Sequence, residues 1–122
     1  MSSTTTLLQS YSHGQRDFSG LSMTDVDLSY ADLKGTDLSY SELSNVNLSQ
    51  ANLRGADLSY ARLSQVDLRH ADLRGAMLIG TDLRGASLQD ANLKNADYMP
   101  GTTQFPDAFD PRQTEMCSVS TW

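Results

Sequence analysis

The chain has 122 residues and a net charge of −6, from nine Lys and Arg against fifteen Asp and Glu, which leaves room for one domain. That surplus of acid disfavours a nucleic-acid-binding domain, while 20% charged residues is too few for an acidic disordered chain. Hydrophobic residues at 39% and aromatics at 7% argue against a large aromatic-rich core, and a single cysteine, Cys117, excludes an internal disulfide framework or a cysteine-rich zinc site.

Residues 1–15 read as an N-terminal cap. Leu7, Leu8 and Tyr11 share one face of a short helix predicted from Thr4 to Ser12. Ser and Thr at its start offer capping hydroxyls, and Gly14 suits its C-terminal stop. With Arg16 the first base and only Leu7–Leu8 as an early apolar pair, the segment fits neither a secretory signal nor a membrane span. A cytoplasmic location is the expectation.

Residues 16–100 are a repeat. Leucine stands at every fifth position through Leu28, Leu33, Leu38, Leu43, Leu48, Leu53, Leu58, Leu63, Leu68, Leu73, Leu78, Leu83, Leu88 and Leu93. Phe18 and Met23 extend the register backwards and Tyr98 extends it forwards. From Val26 onward, the residue two places before each centre is small or β-branched, and one place before it is mostly Asp or Asn. On an α-helix such leucines would scatter about 140° apart, and on a straight strand they would alternate between faces. The pattern works if the chain turns a corner every five residues, with each centre and the residue two before it pointing inward.

A longer period counts the corners. Gly35, Gly55 and Gly75 recur at intervals of twenty, as do Val26, Val46 and Val66, and Lys34, Arg54, Arg74 and Lys94. Four sides per coil follow, with like residues stacked roughly 4.8 Å apart, giving about four coils and a rod of about 20 Å. Glycine at the third turn position fits type II turns on the face of Gly35, Gly55, Gly75 and Asn95. Corners carrying Tyr30, Tyr40, Gln50, Tyr60 and His70 are expected to avoid φ > 0.

Residues 101–122 are expected to form an irregular C-terminal cap and a frayed tail. Pro100-Gly101 breaks the period, and Phe105 and Phe109 are placed across the last coil. Asp110-Pro111 with Gln113 reads as a helix start, and Ser118 to Trp122 as frayed.

Ala-Asp-Leu at 31–33, 56–58 and 71–73 and Ala-Asn-Leu at 51–53 and 91–93 resemble the consensus A(D/N)LXX of the pentapeptide-repeat family. The resemblance implies an all-β solenoid, a right-handed quadrilateral β-helix. The stretches from Leu7 to Phe18 and from Thr103 to Pro111 also look like the ends of short cyanobacterial members. Arg62, Met77 and Ser87 depart from the pattern at its Asp/Asn position.

Flat outward faces offer no cleft for catalysis, and His13 and His70 are not spaced to pair with a nucleophile. No enzyme activity, metal or cofactor is expected. Asp17, Asp37, Asp57 and Asp97 share a column, read as carboxylates accepting local backbone bonds, because calcium wants six to eight oxygens around one point. The basic column of Lys34, Arg54, Arg74 and Lys94 is read as largely compensated by Asp32 and Asp72 and by Asp37, Asp57 and Asp97 around the corner. Glu42, Arg62 and Asp82 read as cross-strand pairs.

Tyr40 above Tyr60, with Tyr30 on the neighbouring face, makes a small aromatic patch of the kind that anchors interfaces. The expected function is a non-catalytic protein-binding or scaffold rod, docking an unidentified protein through these tyrosines or the basic column. Direct nucleic-acid or membrane binding is not expected, and the rod is read as a monomer or a weak end-to-end dimer. The alternative, implied by the resemblance, is a DNA-mimicking binder of a type II topoisomerase, gyrase. Against it, residues 16–100 carry twelve acids and eight bases, whereas 20 Å of duplex holds about twelve uncompensated charges.

Overall fold

A computed structural model describes residues 3–120 of the chain. Helix α1 spans Ser3–Ser12, and the strands that follow are β1 (Ser22–Thr24), β2 (Glu42–Ser44), β3 (Arg62–Ser64), β4 (Asp97–Tyr98) and β5 (Cys117–Ser118). Strands β1, β2 and β3 pair in parallel, each residue facing the one twenty places on. Isolated parallel bridges repeat that offset on the other sides, through Asp27↔Asn47↔Asp67↔Ser87 and Asp32↔Asn52↔Asp72↔Asn92. With a corner every five residues, each coil has four sides.

The inward set is the one the period selects. Every repeat centre from Phe18 to Tyr98 is buried except Leu88, which is half-buried towards the C-terminal end. The small residues two places before them, such as Ala51, Ala56, Ala61 and Val66, are buried too. Burying this aliphatic column is the main driving force, because each leucine loses nearly all its contact with water.

The corners differ from expectation. Tyr30, Tyr40, Gln50, Tyr60 and His70 all take positive φ, between 60° and 62°, like Gly35, Gly55 and Gly75 at 65–72°. The coil, not the side chain, sets this angle. Each corner amide must still reach the rung above, as Tyr40 N–H does to Ser59 O (3.0 Å) and Tyr60 N–H to Ile79 O (2.9 Å). Such ladder bonds hold L-residues in a conformation that costs about 1–2 kcal/mol each.

Corner closure is graded by the inward residue that follows it. The bond back to the preceding centre is 3.0–3.1 Å where that residue is alanine, as at Ala51 and Ala61, and 3.2 Å at Thr36 and Ser41. It lengthens to 3.3 Å at Leu21 and Thr81. At Val26, Val46 and Val66 no such bond forms, and on that side the backbone stays extended as β1–β3. Ala86 in the same column closes again at 3.0 Å, so the open corner goes with valine and not with the position.

Helix α1 ends in a Schellman arrangement. Gly14 has φ 96°, Gln15 N–H bonds Ser10 O (3.0 Å) and Gly14 N–H bonds Tyr11 O (2.9 Å). The hydroxyl expected to cap its first turn lies outside the described residues. Leu7 is buried against the first coil, with Leu8 and Tyr11 packed beside it. Side chains here replace the missing rung: Thr4 Oγ1 donates to Asp27 O (3.2 Å), Tyr11 Oη to Lys34 O (2.8 Å) and Gln15 Nε2 to Asp17 O (3.0 Å). The corresponding carbonyls one coil on, those of Asn47, Arg54 and Asp37, accept backbone N–H groups instead.

At the other end the chain is more ordered than its composition suggests. After Pro100-Gly101 the offset becomes twenty-two, with Asp82 bridging Gln104, and then returns to twenty where β5 pairs with β4. Val119 N–H also bonds Tyr98 O (2.8 Å). The expectation of fraying from Ser118 is therefore corrected for Ser118 and Val119, because the edge of β4 supplies backbone partners; residues 121–122 lie outside those described. Asp110 caps a short 3₁₀ turn, Pro111–Gln113, by accepting from Arg112 N–H. Phe105 stacks on Phe109 (5.1 Å) and meets Tyr98 edge-on (5.6 Å), and both phenylalanines pack against the core.

Candidate functional site

The outward positions show what the rod presents. One place before most centres, Asp or Asn folds back to accept the N–H two residues on, as at Asp57 and Ser59 (2.9 Å) or Asn47 and Ser49 (2.9 Å). In the column of Asp17, Asp37 and Asp57 all three carboxylates are used in this way. Among the described residues no three His, Cys, Asp or Glu stand together as a metal-holding group, and no helix is long and apolar enough to cross a membrane.

Where the residue two places on is arginine, its guanidinium closes on the same carboxylate. Arg74 Nε and Nη2 meet Asp72 at 2.9 and 2.7 Å, and Arg69 meets Asp67 and Arg84 meets Asp82 in the same manner. The arginine hydrogen bonds hold the carboxyls of Asp67, Asp72 and Asp82 below their ordinary range. The signal was present as Asp-x-Arg, and it redraws the expected pairings. Asp82 pairs along the chain with Arg84, while Arg62 across the rung adds only a more distant attraction. In the basic column Arg74 is tied to Asp72 and Lys94 lies 3.9 Å from Glu115. Lys34 and Arg54 have no carboxylate within ion-pair distance among the described residues, so Asp37 and Asp57 around the corner do not neutralise them by contact.

Tyr40 and Tyr60 stack at 5.3 Å with their planes 16° apart, and they remain 66% and 49% exposed. Tyr30, 74% exposed, does not join them. Ten residues are two sides of a four-sided coil, which puts Tyr30 on the diagonally opposite corner, beside the basic column. The expected single patch is thus two separate features.

Sequence reasoning missed the glycines that frame the stack. Gly20, Tyr40, Tyr60 and Gly80 form one column, and a Cβ on Gly80 would meet the Tyr60 ring at 2.5 Å. Nothing lies within 4 Å of a Cβ built on Gly20. Gly80→Ala is expected to cost about 1–2 kcal/mol in urea unfolding and to loosen the stack, from left-handed strain plus the ring contact. Gly55→Ala, with similar φ and open space around it, is the control. Equal losses in the two variants would show that the ring does not rest on Gly80.

The family model of pentapeptide repeats matches residues 17–39, 31–69 and 67–97, in 8 copies. No curated protein is significantly similar to the chain. Among solved structures, a pentapeptide repeat protein from Nostoc PCC 7120, alr5209, is 48% identical over 94% of each chain, with a TM-score of 0.90. HetL from Nostoc sp. PCC 7120, a pentapeptide repeat protein involved in heterocyst differentiation regulation, is 32% identical over 82% of this chain and 55% of its own, with a TM-score of 0.44. Rfr23 from Cyanothece 51142 is 29% identical over 73% of this chain and 63% of its own, with a TM-score of 0.42.

Proposed function

This chain belongs to the pentapeptide-repeat family, and from that premise we propose that it is a non-catalytic rod that docks another protein through its exposed tyrosine stack. The reading takes the coil as right-handed, with about four turns stacked between the two end segments. Its main support is the Tyr40–Tyr60 pair. Two large aromatic rings are ordered against each other, contribute nothing to the buried column, and lose little entropy when a partner covers them. Gyrase binding stands second, because a DNA mimic calls for dense negative charge along the rod, whereas Lys34, Arg54, Arg74 and Lys94 line one side of this one.

Affinity capture from the source cell tests the reading, comparing wild type with Tyr40→Ala/Tyr60→Ala. The expected result is a specific partner retained by wild type and lost by the variant. Retention by both would move the site to another face, and no specific partner at all would overturn the proposal.

A further inference from the structure

Resting on that reading, we infer that the uncovered face of Tyr40 is a slot for a guanidinium group carried by an arginine-bearing segment of the partner. In this column each ring lies towards the next coil, Tyr40 on Tyr60 and Tyr60 on Gly80. The opposite face of Tyr40 looks towards Gly20, which has no side chain and nothing within 4 Å of where one would start. One π face is therefore open above a gap left by a glycine.

Charge selects what fills it. On the two sides that meet at this corner, the charged residues between 17 and 61 are Asp17, Asp25, Asp37, Glu42 and Asp57, with no base among them. On those sides the first base after Tyr40 is Arg62, in the coil of Tyr60, where it lines a polar hollow beside Gly80 together with the paired Asp82 and Arg84. Arg16 is engaged elsewhere, its Cζ 3.7 Å from the centre of the Tyr11 ring. A cation is thus attracted to the Tyr40 end and opposed at the Tyr60 end. A planar guanidinium suits the slot better than an ammonium, because it can lie flat on the ring while its edge donates to carboxylates.

NMR titration of the whole protein at low salt tests the slot, with the peptide Gly-Ser-Arg-Ser-Gly and its counterpart carrying citrulline in place of arginine. The arginine peptide is expected to shift the Gly20 amide and the Tyr40 ring signals, and the citrulline peptide to leave them in place. Tyr40→Leu is expected to weaken arginine-peptide binding about two- to fivefold, the range for an exposed cation–π contact. Tyr40→Phe, which keeps the ring, and Tyr30→Leu, on the opposite corner, should bind as wild type does; circular dichroism checks that each variant is folded. Equal binding of the two peptides, no effect of Tyr40→Leu, or shifts that map away from Gly20 would overturn the slot. If the slot fails while Tyr40→Ala/Tyr60→Ala still loses the cellular partner, the docking rod stands with a partner of different chemistry. If both fail, the docking reading goes too.

Discussion

Leu63→Ala lowers the free energy of unfolding by about 2–5 kcal/mol, a large part of the roughly 5–15 kcal/mol that holds a domain of this size together. Leu63 lies in β3 at 0% exposure, between Leu43 and Leu83 in its column, with its N–H bonded to Asp82 O at 3.0 Å. Removing its isobutyl group leaves a void that the flanking coils cannot close, because every rung is pinned to its neighbours by backbone bonds. In a solenoid each storey touches only the storeys beside it, so a weak floor in the middle separates two halves that are marginal alone. Leu88→Ala, at the half-buried centre near the C-terminal end, should cost about half as much, since less apolar area is lost. Urea unfolding of both variants measures the difference. A loss below about 1 kcal/mol at Leu63 would mean that the coil contracts around the gap, contrary to a backbone fixed by its ladder.

Phe105→Ala combined with Phe109→Ala is expected to cost about 3–5 kcal/mol and to make the protein self-associate. Phe105 joins Tyr98 to Phe109, while the segment that carries it is bound through Gln104 N–H to Thr81 O (2.9 Å) and Leu83 N–H to Gln104 O (2.7 Å). Phe109 borders two shallow hollows in which Leu88 is partly uncovered. Without the two rings the segment has only a few edge bonds to hold it, and its departure exposes the last coil to other copies. Light scattering across a concentration series, with urea unfolding alongside, reads both effects. A variant that stays monomeric with an unchanged unfolding midpoint would show that the rings do not close this end.

The periodicity made the inside of the rod legible because burial is a one-dimensional question here. Once the chain turns every five residues, Leu53 or Ala56 points inward whatever its neighbours are. The twenty-residue columns were legible for the same reason, since parallel stacking in register carries a sequence interval directly into a contact. Backbone angles were not. Tyr40 and His70 give no local sign of positive φ, and it is the next rung, by accepting their N–H groups, that holds them there.

The amino-acid sequence by itself determined which residues meet, centre on centre and Tyr40 on Tyr60, because register follows from counting. Only the tertiary structure decided what those meetings leave open. Asp82 chose Arg84 over the rung below, and Ser118 found an edge to bind. Each outcome depends on the direction of a turn or the reach of a side chain in three dimensions, and a linear spacing contains neither.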